Sequence, residues 1–81
     1  MDREELVTQR KLVGARIREY RKKRNLTQME LYRTCGISTG NLSYIEQGKI
    51  FPSVPAVAAL ARCFQCSTDE LIFGKEPERE T

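Results

Sequence analysis

The sequence has no histidine, no tryptophan and only three cysteines. Each scarcity excludes something. Without an imidazole there is no Ser-His-Asp triad, no His general base and no zinc-protease helix. An odd cysteine count with no secretory leader argues against a disulfide scaffold and for a reducing cytoplasm. The first five residues, Met1-Asp2-Arg3-Glu4-Glu5, are polar and mostly charged, unlike a signal peptide. No apolar run approaches the roughly 20 residues that span a bilayer. At 81 residues the chain is far too short for a doubly wound nucleotide fold or a TIM barrel. What remains is one small domain, 40% apolar and 31% charged, with enough apolar material for a single core.

The net charge of +3 hides an asymmetry. Residues 1–24 hold nine Lys/Arg against four Asp/Glu, whereas residues 65–81 hold two against five. A basic front and an acidic tail suit an anionic partner met by one face. A solvated helix face and a frayed tail would give the same counts.

Breakers divide the chain into five apolar-periodic segments with no sustained period-2 alternation, so strands are not expected. The first runs from about Arg3 to Arg24. Asp2 and Glu5 form its capping box, Leu6, Val13, Ile17 and Tyr20 its inner face, and Asn25 a left-handed stop. Gly14 inside this helix costs about 1 kcal/mol against alanine, so it marks close approach of another element. Thr27 and Glu30 box the second segment, which ends near Thr34. Cys35-Gly36-Ile37 makes a three-residue turn. Ser38 caps a third segment with Leu42 and Ile45 inward, ending near Gln47 and Gly48. Ser53 caps a fourth, with Pro55 in its first turn and Val57, Leu60, Ala61 and Phe64 inward. Ser67 and Glu70 box a fifth, stopped at Gly74. Residues 1–74 are thus read as the domain and 75–81 as a charged, disordered tail.

The informative stretch is about 27–47. Two short helices meet at a glycine turn, and the second exposes small polar residues. That is helix-turn-helix geometry. The major groove of B-DNA, about 12 Å wide, accepts one such helix. Its N-terminal amides can meet phosphate.

Here the sequence resembles the Cro/C1-type (XRE) helix-turn-helix domain of phage repressors and bacterial regulators. Leu26-Thr27-Gln28-Met29-Glu30-Leu31, Gly36-Ile37-Ser38, Leu42 through Lys49, and Pro52-Ser53 carry the likeness. Gly14, Ile17-Arg18, Tyr20-Arg21 and Asp69-Glu70-Leu71 support it, and the match covers roughly residues 13–73. The resemblance implies an all-α, lambda-repressor-like domain of five helices, here with an extended first helix. It implies that Gln28 grips phosphate and buttresses the recognition helix. Ser38 caps that helix at the DNA surface. Thr39, Gly40 and Tyr44 stand where the family reads bases. Asn41, Ser43, Gln47 and Lys49 stand where it meets phosphate and sugar. Arg21 and Glu46 match a structural ion pair. Leu71, Ile72 and Phe73 are the expected dimer contact.

Two departures stand out. Tyr32 occupies a position the family usually fills with alanine, so its phenol must tilt outward or loosen the corner. Gly40 has no side chain, so readout there is weak or steric. Lys22, Lys23 and Arg24 have two readings, phosphate contact or an ordinary basic helix end. Arg16 and Arg18 are expected to be solvated. Phe51 and Phe73 are expected in a satellite core or an interface.

Cys63 and Cys66 form a C-x-x-C, but three cysteines without histidine fall short of a zinc set. Core packing is their expected role, with redox sensing or an intersubunit metal as the alternative. No catalytic constellation, cofactor, metal or small-molecule site is expected, and no membrane segment. The expected function is sequence-specific binding of double-stranded DNA in the major groove of a palindromic operator. The chain would act as a homodimer that represses by occupancy, in the cytoplasm on bacterial or phage DNA. The alternative is a protein-interaction module on the same fold, antitoxin-like or adaptor-like.

Overall fold

The computed structural model describes residues 1–74, which form five helices and no strand among the described residues. They are α1 (Arg3–Lys23), α2 (Gln28–Cys35), α3 (Thr39–Glu46), α4 (Val54–Phe64) and α5 (Thr68–Phe73). The expected charged tail at 75–81 lies outside the described residues.

Local chemistry sets these boundaries. The side chains of Asp2, Thr27, Ser38, Ser53 and Ser67 each accept a hydrogen bond from a backbone N–H three residues on, capping every helix. Only Thr27 forms the full reciprocal box, with the Glu30 carboxylate reaching back. Asn25 takes a positive φ of 54° just past α1, as its position suggested. Gly36, at φ 76°, closes α2 in the left-handed region that favours glycine, and so starts the turn into α3.

α1 packs against α3, α4 and α5, α2 against α3 and α4, and α4 against α5. The core between them comprises Val13, Ile17, Leu31, Ile37, Leu42, Ile45, Ala56, Leu60, Ala61, Phe64 and Leu71. Burying each of its larger side chains contributes about 1.5–3 kcal/mol. Val57 is half-buried, while Ala56 takes a core place beside Leu60. Leu6 stays exposed, contrary to its expected place on the inner face, because the first turns of α1 reach past the core cluster. The extended α1 itself is present.

Two basic residues have structural roles that the sequence did not suggest. Arg16 is not solvated: its Nη1 donates to the carbonyls of Leu71 (2.7 Å) and Ile72 (3.1 Å), satisfying the C-terminal end of α5. Arg24 donates to the Tyr20 carbonyl at 3.0 Å and the Phe64 carbonyl at 2.6 Å, and lies over both rings.

The cysteines also differ from expectation. Cys35 and Cys63 are disulfide-bonded, joining α2 to α4, whereas the sequence argued against any disulfide. The packing of α2 across α4 brings these residues together from 28 positions apart, which spacing along the chain cannot reveal. A closure of that length contributes roughly 3 kcal/mol in the chain-entropy account. Cys66 lies half-buried against the core, as expected of it.

Candidate nucleic-acid interface

The recognition helix is held at its C-terminal end. Gly14 in α1 lies against the end of α3, where a Cβ would strike the Ile45 carbonyl oxygen and sit 3.1 Å from that of Glu46. This is the close approach that a mid-helix glycine implied. Beside it, Arg21 donates from Nε to Glu46 Oε2 at 2.7 Å and from Nη2 to Oε1 at 2.9 Å. Its Nη1 also donates to the Leu26 carbonyl at 2.8 Å. The bonded Glu46 carboxylate holds the Arg21 guanidinium above its ordinary pKa, against the opposing effect of burial. Gln28, the first residue of α2, donates to Glu46 Oε1 at 3.4 Å. The expected ion pair therefore forms, and Gln28 buttresses it.

The other end of α3 is open. Ser38 accepts from the Asn41 N–H at 3.2 Å as helix cap. Gly40 and Asn41 are exposed, Thr39 is half-buried, and nothing lies within 4 Å of where a Gly40 Cβ would stand. Tyr44 is 52% exposed, and the Lys49 ammonium sits 5.5 Å from its ring centroid. Gln47 donates to Ser43 Oγ at 2.8 Å, so these two polar side chains are held together. Tyr32 is 49% exposed and so tilts outward from the corner.

At the clamped end lies a polar cleft of about 220 Å³ lined by Arg18, Arg21, Gln28, Ser43, Glu46 and Gln47. Arg18 was expected only in solvent. It is exposed, but it stands one turn before Arg21 and so shares the face that meets α3. That spacing was the available signal. Beside the mutually neutralised Arg21–Glu46 pair the cleft gathers neutral polar side chains, the exposed Arg18 cation and the N-terminus of α2, which together suit an oxyanion.

The expected dimer residues are not all on the surface. Leu71 is 0% exposed and belongs to the core, and Ile72 packs partly against it. A six-residue helix must turn one face inward, and Leu71 supplies it. Phe73 is 67% exposed and Phe51 is exposed too. Lys23 pairs with Glu19 at 2.9 Å on the surface, one turn apart. Among the described residues no group of side chains could hold a metal ion, and no helix is long and apolar enough to cross a membrane.

A helix fixed at one end and open at the other, following a glycine turn, defines a helix-turn-helix domain. A family model described as a helix-turn-helix domain matches residues 12–72. An uncharacterised HTH-type transcriptional regulator of Archaeoglobus fulgidus is 33% identical over 63 residues, covering 78% of this chain and 89% of that protein. Repressor protein C2 of Salmonella phage P22 is 36% identical over 63 residues, covering 78% of this chain but 29% of the repressor. The HTH-type transcriptional regulator DicA of Escherichia coli is 35% identical over 69 residues, with 85% of this chain and 51% of DicA covered. No solved structure gives a significant match. The chain belongs to the Cro/C1-type (XRE) helix-turn-helix family of transcriptional regulators.

Proposed function

We propose that this domain binds a palindromic operator as a homodimer and represses by occupancy. The observation that carries the reading is the open N-terminal end of α3, held out by a clamped C-terminal end. Small residues there let the helix backbone approach base edges. In this reading Thr39, Gly40 and Tyr44 face the bases, Ser38 caps the helix against them, and Asn41, Ser43, Gln47 and Lys49 meet the backbone. Gln28 and Arg18 take one phosphate at the polar cleft. Two half-sites would lie about 34 Å apart, one helical turn, on the dimer axis. Phe73 is the one expected dimer residue left with a mainly exposed side chain, so the contact centres on it.

Repression finds support in one relative named as a repressor protein, and regulation in another named as a transcriptional regulator. We assign the binding face no catalytic function. Its site of action is the cytoplasm, on chromosomal or phage DNA.

A salt titration tests the reading. Arg16, Arg21 and Arg24 are engaged within the fold. Beside the recognition helix that leaves Arg18 and Lys49 for phosphate. The logarithm of affinity should fall linearly with the logarithm of salt at a shallow slope of about −3. Negligible affinity for DNA at every salt concentration would replace this reading with a protein-interaction module on the same fold.

A further inference from the structure

Cys35 is the last residue of α2, and the next residue, Gly36, turns the chain toward the cap of the recognition helix. Its sulfur is bonded to Cys63 on α4. Both residues are only half-buried, and they line a shallow open groove with Thr34, Ala59 and Arg62. A small thiol or disulfide can therefore reach the bond, and Arg62 offers a cation to an anionic one. A second groove runs from Cys35 past Ile37 and Ser38 to Asn41, with Ala56 and Ala59 on its α4 wall. The disulfide thus sits at one end of the seam between the turn and α4, and the reading end of α3 lies at the other. Cys66, three residues from Cys63, is half-buried against the core and outside the bond.

We propose that Cys35 and Cys63 form a redox latch on the helix-turn-helix, closed by low-molecular-weight disulfides and opened by low-molecular-weight thiols, with the closed form binding DNA more tightly. The second half rests on the DNA-binding reading above. In closing, one cysteine thiolate attacks a small disulfide RSSR, forms a mixed disulfide and releases RS⁻. The second thiolate attacks the protein-bound sulfur and releases the second RS⁻. The two protons leave the cysteines and end on the released thiols. The protein is oxidised by two electrons, and RSSR is reduced to two RSH. Closing makes α2 and α4 one body at the turn, so less ordering remains to be done when α3 enters a groove. Opening leaves the turn held by packing and by its own helix-end hydrogen bonds.

The test uses the full chain equilibrated in reduced or oxidised glutathione, with thiol blocking and mass spectrometry to count closed molecules. A labelled duplex enriched from a random pool reports affinity. The closed form should bind about fivefold more tightly than the open form. C35S should bind like the open wild type in both buffers, and C66S should keep the full response. Wild type alone in the two buffers decides the matter if a variant does not fold. Equal affinity of fully open and fully closed protein overturns the proposal. So does failure of Cys35 and Cys63 to bond in excess oxidised glutathione. If neither form binds any duplex, the DNA reading fails and thermal melting judges the latch alone. A melting temperature at least about 5 °C higher when closed, absent in C35S, supports the latch. No difference overturns it.

Discussion

The two ends of α3 are built on opposite plans. At the C-terminal end, Gly14 brings the α1 backbone against the Ile45 carbonyl, and Arg21, Gln28 and Glu46 knit three helices together. At the N-terminal end, Gly40 meets nothing and Asn41 is exposed. The lesson is positional. A short helix can be aimed from one end, which frees the other for contact. Eight residues make a helix too short to be stable alone, so its direction comes from the clamp together with Leu42 and Ile45 seated in the core.

Breaking the clamp should have the largest effect. Gly14→Ala forces a Cβ into the Ile45 carbonyl, which is backbone and cannot step aside. We expect a loss of about 3 kcal/mol or more in urea unfolding, with DNA binding lost in parallel. Arg21→Ala leaves Glu46 part-buried with Gln28 as its remaining donor. A loss of about 3 kcal/mol is expected there, again by urea unfolding, and Arg21→Lys should recover only part of it because one ammonium cannot make the paired bonds.

The open end should answer in the opposite sense. Gly40→Ala enters empty space on a helix, so it should stabilise the domain by up to about 1 kcal/mol. If Gly40 lies against DNA, the same change should weaken binding. Asn41→Ala should weaken it about tenfold with the fold intact, as read by gel shift beside circular dichroism, whereas Gln28→Ala, which removes a donor to Glu46 at the clamp, should weaken binding and also lower stability slightly. A change that stabilises the domain and weakens binding would separate the two ends cleanly.

The smallest effect lies away from α3. Tyr20 donates to Glu70 at 2.5 Å, linking α1 to α5. That bond, aided by burial, raises the phenol from its ordinary pKa of 10.0 to about 12. A raised folded-state pKa means the contribution is complete below the unfolded value and fades as pH rises from about 10 toward 12. Tyr20→Phe should cost about 1 kcal/mol at neutral pH, and the difference in thermal stability from wild type should shrink across that alkaline window.

How far this was visible in the sequence depends on the range of each interaction. Helix ends follow from residues within three positions, and Thr27, Ser38 and Ser53 announce them. Gly14 announced a close approach without naming its partner. The resemblance supplied the Arg21–Glu46 pair. Contacts across the fold were not legible where no motif marked them. Arg16 and Arg24 look like surface charge in the chain, yet each reaches carbonyls some 40 to 56 residues away. Leu71 looked like an interface residue because a short apolar run does not say which side faces in. Cys35 looked isolated because only packing of α2 on α4 brings it to Cys63. Arg18 was legible in retrospect, one turn from Arg21 on the same face.

Selection of bound duplexes from a random DNA pool tests the central claim most directly. The expected result is enrichment of a two-fold palindrome whose half-sites are spaced by about one helical turn. Asn41→Ala should blur the half-site without changing the spacing, and Arg21→Ala should abolish enrichment. A pool that shows no enrichment with well-folded wild-type protein would contradict the assignment of α3 as a reading helix.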